Sequence, residues 1–374
     1  MLCKGIVVGI FRGNRYFSKS SLSSFDWVHR DKSWEVTYTI VAPDSVENSK
    51  TTLVLFPSTS LLSSREEWRG AAELLSDAGY TSILVDWPGW HQRSMPLNWC
   101  IEDDVDQKRL VSTFTSFAYS ALKHADSFGG PVHAVCVGGS AAVHVHRALQ
   151  ELHSADNVLL DCSLTCFSPT WRNYLTRTVA DGYPQKLARR KWVADWLLSN
   201  MFVRSKMAFR IYKSKFGLCK LTRRHYDEKL QMNTNLLESK REVICRDRPL
   251  SIDAAMMAGH FDPINTGKEL ADELFGKEET GETAEDDDED DALLGLQIPH
   301  WVKQTTLVSA NTRKPTRLHF VIPQDCDSTD LLEMKNITQC APQDAKISEI
   351  HGRLFAHEEY PALAATLIDS YANP

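Results

Sequence analysis

Three side chains far apart in this sequence have the types and the order that acyl transfer requires: Ser140, Asp325 and His357. A neutral serine hydroxyl is a poor nucleophile and needs a base titrating near neutrality to take its proton. That base needs a carboxylate to hold its tautomer and to stabilise the imidazolium that forms. The serine lies in Gly138-Gly139-Ser140-Ala141-Ala142, directly after the apolar run Val132 to Val137 and directly before a helical pattern. A strand, a sharp turn and a helix in that order lift a hydroxyl at the apex above the sheet edge, and glycines permit the strained backbone there. The last position of the G-x-S-x-G pattern is Ala142 in this chain, and a glycine-rich packing turn gives the same composition.

The acid and the base have their own local settings. After the run Arg317 to Ile322 comes Pro323-Gln324-Asp325-Cys326-Asp327. A carboxylate just past a late strand is placed to orient a base. Asp325 is the first candidate and Asp327 the second, although Asp327 and Ser328 also suit a helix cap. After Lys346 to Ile350 comes a loop that carries His357 just before the last helical stretch, where it can take the proton of the serine. His351, nearer the strand, reads as a surface residue. The developing oxyanion needs two backbone N–H donors. The Ala141 amide is one, and Ser58 or Thr59, in the loop after Thr51 to Phe56, supplies the other.

The elements that must hold these residues alternate. Trp34 to Ala42 is β-branched and alternating and reads as an early edge strand. Thr51 to Phe56, Thr81 to Val85, Val132 to Val137, Val158 to Phe167, Arg317 to Ile322 and Lys346 to Ile350 read as strands apolar on both faces. Helices fall between them, one starting near Ser63 or Ser64 as cap, with Glu three residues on. This predicts an α/β fold with a mostly parallel sheet covered by helices on both faces. Residues 34–168 form the first part of the core and 301–374 the last. Residues 169–300 break the rhythm and read as an inserted helical cap.

Bulk composition excludes several classes. No apolar run approaches the ~18 residues of a membrane helix, so no transmembrane segment is expected. The nine cysteines contain no CxxC pair, and they read as reduced thiols of an intracellular protein rather than a disulfide frame or zinc site. His144 and His146 point apart on the helix after the turn, and no phosphate-cradling glycine loop is present, so neither metal nor cofactor is expected. His260-Phe261-Asp262-Pro263 reads as a helix-ending turn. Residues 278–291 hold ten acids and no base, and removing those ten from the net charge of −7 leaves +3. The negative excess is thus one solvated insert, bounded at 277–292, on a near-neutral body. Residues 1–25 carry Lys4, Arg12, Arg15 and Lys19 without an acid, which predicts a mitochondrial presequence and a matrix location, with another organelle or the cytoplasm as the alternative.

The segments Pro57-Ser58-Thr59-Ser60 through Ser63-Ser64-Arg65-Glu66-Glu67-Trp68, Val85-Asp86-Trp87-Pro88-Gly89-Trp90, Ser168-Pro169-Thr170-Trp171-Arg172 and Leu354-Phe355-Ala356-His357-Glu358-Glu359-Tyr360-Pro361 carry a resemblance. The chain resembles the α/β-hydrolase superfamily, and within it a group found in cyanobacteria and plant chloroplasts, from about residue 34 to 372 without the acidic insert. The resemblance implies an esterase or lipase-like acyl hydrolase acting on a small-molecule acyl substrate. Some members of that group lack the elbow serine, which this chain has as Ser140. Trp87 and Trp90 are expected at the pocket rim. Carbon–halogen or epoxide hydrolysis wants an aspartate at the turn, and Ser140 argues against it.

A second class of function follows from a different stretch. Between Lys186 and Arg224 there are twelve lysines and arginines against one acid, Asp195, with aromatic residues among them. This reads as amphipathic cap helices with their apolar side on the pocket, or as a surface for RNA or an anionic protein. In the latter case the chain is a catalytically inactive α/β-hydrolase-fold subunit or assembly factor of a mitochondrial complex, such as the mitochondrial ribosome.

Overall fold

The computed structural model describes residues 19–43, 51–60, 62–90, 110–155, 163–170, 218–219, 222–223, 225–227, 234–245, 317–339, 341 and 344–372. The acidic insert, the His260 to Pro263 turn and nearly all of the basic run 186–224 lie outside these described residues.

The elements in chain order are β1 (Lys19–His29), β2 (Lys32–Ala42), β3 (Thr52–Leu55), α1 (Arg69–Asp77), β4 (Thr81–Leu84), α2 (Leu110–Asp126), β5 (Val132–Val137), α3 (Gly139–Ala155), β6 (Ser163–Phe167), α4 (Thr234–Cys245), β7 (Arg317–Pro323), α5 (Ser328–Gln339), β8 (Lys346–Ile350), the single turn α6 (Ala356–Glu359) and α7 (Pro361–Ala372). The eight strands form one sheet in the order β1-β2-β4-β3-β5-β6-β7-β8. The pairs from β4 through β8 are parallel, and β1 and β2 join antiparallel.

The chain steps outward from β3 to β4 through α1, then back past β3 to β5 through α2. Right-handed crossovers in opposite directions place their helices on opposite faces of the sheet. Hence β3, β4, β5 and β6 are buried along their whole length and largely apolar, the signature of strands covered on both sides. The expected doubly covered parallel sheet is present.

One reading of the sequence is corrected at the amino end, and one strand is added. Trp34 to Ala42 is not the edge: β2 pairs β1 on one side and β4 on the other. The hairpin partner β1 overlaps residues 19–25 of the expected presequence, with Phe25 and Trp27 in the core. Its serine-rich outer half hides the strand signal, while the inner Phe25 and Trp27 lie against α2, where the Trp27 indole donates to Ser116 Oγ at 3.2 Å. Asp31 and its neighbour Arg30 take positive φ to close the tight turn into β2.

A polar row crosses the otherwise apolar sheet. His133 of β5 meets Ser163 and, at 3.0 Å, Thr165 of β6. Thr165 Oγ1 lies 3.4 Å from His319 of β7, whose Nε2 lies 2.9 Å from Ser348 Oγ of β8. The ring of Tyr371 from α7 covers both imidazoles. Burial, together with Lys346, lowers the His319 imidazole to about 4. Burial, with His319 and Arg317, lowers His133 to about 3. Both are therefore neutral donor–acceptor links rather than charges.

Candidate active site

In this fold, chemistry gathers beyond the carboxyl ends of parallel strands. Ser140 follows β5, Asp325 follows β7 and His357 follows β8, so all three lie toward one edge of the sheet.

The turn after β5 differs in register from the one expected. The residue with positive φ is Gly138, at +88°, and α3 begins at Gly139. The Gly138 carbonyl accepts the first bond of the helix, from the Ala142 N–H at 3.0 Å. Ser140 therefore sits inside the first turn of α3, 2% exposed, and Ala141 beside it is wholly buried. The apex, where a nucleophile elbow carries its reacting side chain, is a glycine. A Cβ added to Gly138 would meet no atom within 4 Å among the described residues.

The amide after that apex belongs to Gly139, and it donates to the Thr170 carbonyl at 2.5 Å. On the other side, the loop after β3 carries the Ser58 N–H; Thr59 beside it is buried. The Ser58 amide donates to Glu67 Oε1 at 3.0 Å. Both backbone donors at the site are thus held by acceptors of the chain itself.

That loop is fixed by three indoles. Trp68 Nε1 donates to the Phe56 carbonyl at 3.0 Å, Trp87 Nε1 to Pro57 at 2.7 Å and Trp90 Nε1 to Ser60 at 3.0 Å. Trp87 and Trp90 are fully buried and hold the loop from behind, which corrects the expectation that they line a rim. Asp86 accepts the Arg65 N–H at 2.7 Å and pairs with the Arg65 guanidinium at 3.4 Å, so the two tryptophan-bearing segments brace each other. Neither Ser63 nor Ser64 caps by its side chain; Arg65–Trp68 is a short 3-10 turn ahead of α1.

His357 is fully buried in α6, against Trp68 at 4.3 Å between ring centroids, Phe355 at 5.6 Å and Phe167 at 6.0 Å. Its Nε2 lies 3.2 Å from Glu67 Oε1, with both side chains shut off from solvent. The ring is not turned to put an N–H on that line, and neither nitrogen completes a hydrogen bond. Asp325 is exposed, and its carboxylate accepts the Gly352 N–H at 2.7 Å. Asp327 is exposed too and starts α5, its carbonyl taking the Leu331 N–H. The carboxylate that faces the imidazole is Glu67. The sequence reading assigned that residue to a helix start. The available signal was its place on the stripe Glu67, Ala71, Leu75, a charge on the buried side of a helical period.

The two acids after His357 clamp the segment. Glu358 accepts Tyr226 Oη at 2.6 Å and Lys240 Nζ at 2.8 Å. Burial alone would raise the Glu358 carboxyl, but Lys240 and Tyr226 outweigh it and hold it below the usual carboxylate range. Glu359 accepts the Arg353 N–H at 2.8 Å and the Asp227 N–H. Ser168, at φ +50°, donates its hydroxyl to the Leu354 carbonyl at 2.7 Å. The segments that carry the resemblance therefore meet at one place and hold each other. His144 is buried beside Trp87 and Phe114. Among the described residues no group of three or more His, Cys, Asp or Glu is placed to hold a metal, and no helix is long and apolar enough to cross a membrane.

This sheet order, the helices on both faces and the strand–turn–helix after β5 define the α/β-hydrolase fold. Solved structures agree. A thermophilic esterase from Thermogutta terrifontis is similar at 13% identity with a TM-score of 0.56, over 94% of this chain and 98% of that one. A serine hydrolase involved in carbazole degradation is similar at 13% identity and a TM-score of 0.53, over 94% and 99%. The structure of Rv0554 from Mycobacterium tuberculosis is similar at 10% identity and 0.52, over 94% and 98%. No protein-family model and no curated relative matches the chain.

Proposed function

We propose that this chain is an α/β-hydrolase-fold protein that forms no acyl-enzyme, and that its site is closed upon itself and works as part of a binding or assembly subunit. The observation that carries this reading is Glu67 Oε1, held between the Ser58 N–H at 3.0 Å and His357 Nε2 at 3.2 Å. In a working acyl hydrolase those two groups face the reacting oxygen and the nucleophile. Here one internal carboxylate stands between them, and the turn beside them is apexed by Gly138. On this reading the basic run 186–224 provides the contact surface for RNA or an acidic protein, in the mitochondrial matrix that the basic residues 1–25 suggest. The resemblance to the cyanobacterial and chloroplast group, carried by the four quoted segments, fits a site that keeps its frame while Ser140 lies off the apex of the turn.

A second reading is hydrolysis of an ester or related acyl bond through Ser140, Asp325 and His357. It is favoured by the order serine, acid, histidine after β5, β7 and β8, and by similarity to structures of an esterase and a serine hydrolase. One experiment separates the two. The full-length protein is treated with a fluorophosphonate probe beside its Ser140→Ala variant. We expect no specific labelling of either. Labelling of the wild type at Ser140 that the variant loses would overturn the first reading and establish the second.

A further inference from the structure

We infer that the Ser58 amide and the His357 imidazole form a binding subsite for a small carboxylate, and that Glu67 is its built-in occupant. This rests on the reading of a self-closed site given above and adds what the site can hold.

The argument starts from one atom. Glu67 Oε1 is the acceptor for the Ser58 N–H at 3.0 Å and is also the atom 3.2 Å from His357 Nε2. The N–H donor and the imidazole come from opposite sides, one from the loop after β3 and one from α6, and both face the same oxygen. A buried carboxylate is costly unless hydrogen-bond donors or charge meet it. Both side chains of the pair are 0% exposed, and Glu67 Oε2 has no hydrogen-bond partner. One N–H and the facing imidazole therefore meet one oxygen of a planar anion, while the rest of the surroundings, Trp68, Phe167 and Phe355, is aromatic and apolar. A tetrahedral anion such as phosphate brings more acceptor oxygens than this N–H and this imidazole can meet. A neutral amide fills the shape without the charge that faces the imidazole. A small carboxylate matches both, which is why a side chain ending in one fits.

The amide and the imidazole are also held independently of Glu67. Ser58 lies in the loop whose carbonyls are fixed by Trp68, Trp87 and Trp90. His357 lies in the turn fixed by the Glu358 and Glu359 bonds. Removing the Glu67 side chain therefore leaves the amide and the imidazole in place and opens a cavity of its own size between them.

The test is chemical rescue in the full-length chain. Glu67→Gly is expected to melt well below wild type. Formate, and less strongly acetate, is expected to raise its Tm by several degrees in a saturable way, since a ligand that binds only the folded state stabilises it by mass action. Chloride at matched ionic strength is expected to do nothing, and wild type and Glu67→Gln, where the space stays filled, are expected not to respond. Adding His357→Ala to Glu67→Gly should abolish the response. A Glu67→Gly melt that formate and chloride move alike overturns the inference. Should the variant fail to fold during purification, it is refolded in formate and in chloride: recovery with formate alone supports the subsite, and equal failure in both overturns it. Fluorophosphonate labelling at Ser140 would sink the self-closed reading while leaving a positive rescue result standing, so the two failures are distinguishable.

Discussion

The Asp325 carboxylate accepts the backbone N–H of Gly352 at 2.7 Å, and the Asp325 amide returns a bond to the Gly352 carbonyl at 3.0 Å. The pair ties the end of β7 to the loop leaving β8, two positions after Ile350. Asp325, the acid expected to orient an imidazole, thus holds this loop. Asp325→Ala should lower stability by about 1–2 kcal/mol, the usual worth of a charge-assisted bond at an exposed position. Urea unfolding followed by circular dichroism reads this. A variant as stable as wild type would mean that the bond does not hold in solution.

Gly138 and Gly352 both have positive φ, at +88° and +109°, but in unlike surroundings. A Cβ on Gly138 meets nothing within 4 Å, whereas one on Gly352 comes to 2.8 Å from Tyr360 Cε2 and also runs into Glu359 Oε2. Gly138→Ala should cost only the backbone strain of a left-handed residue, about 1–2 kcal/mol. Gly352→Ala adds overpacking of about 1–3 kcal/mol and disturbs the bond from Glu359 to the Arg353 amide. The prediction is an order: Gly352→Ala is the less stable of the two by differential scanning fluorimetry. The reverse order would show that the space above Gly138 is filled.

How much of this was legible in the sequence depends on the physics each feature uses. Strands β3 to β6 were readable because burial on both faces demands largely apolar runs, and these are visible along the chain. Strand β1 was not, because its outer positions are serines and only its pairing with β2 makes it a strand. Ser140 was visible as a residue type, but the apex of a turn is a backbone property. Three consecutive permissive positions, Gly138, Gly139 and Ser140, left the register open, and the Gly138 N–H bond to the Phe167 carbonyl sets it. Glu67 escaped because its partners lie 9 residues upstream and near the far end of the chain, at Ser58 and His357. The tryptophan-rich segments were recognisable, yet that their indoles cap loop carbonyls is a three-dimensional fact.

The histidine row across the sheet predicts an acid-sensitive fold. An imidazole that titrates near 6.5 in the unfolded chain is lowered to about 4 at His319 and about 3 at His133. The folded state therefore favours the neutral form. Its stabilising share is fully present above about pH 6.5, falls as the unfolded chain gains protons below that, and is gone once pH has dropped through the folded values. Stability should decline by on the order of a few kcal/mol between about pH 6.5 and 4. His319→Gln, which keeps a donor and an acceptor but cannot titrate, should show a shallower decline. Chemical denaturation at a series of pH values checks this; parallel curves for the two proteins would remove the row from the explanation.

Lys240 carries the last prediction. Its ammonium, 2% exposed, lies 2.8 Å from Glu358 Oε2 and within 6 Å of the Tyr226 and Phe355 rings. A buried pair is weak evidence of net stability, because desolvation offsets most of the attraction. Removing one member is a different matter, since it strands the other charge. Lys240→Met should therefore cost about 3–5 kcal/mol. Adding Glu358→Gln should recover part of that loss, because the amide oxygen still accepts the Tyr226 hydroxyl and no buried charge remains. The coupling also has a direction in space. Glu358 is adjacent to His357, so loosening the clamp should loosen the imidazole facing Glu67. In hydrogen exchange, Lys240→Met should lose protection across 353–360 before the amides of β5 and β6 do. A double variant no more stable than Lys240→Met, or exchange that rises evenly over the whole sheet, would show that the pair is not what anchors this segment.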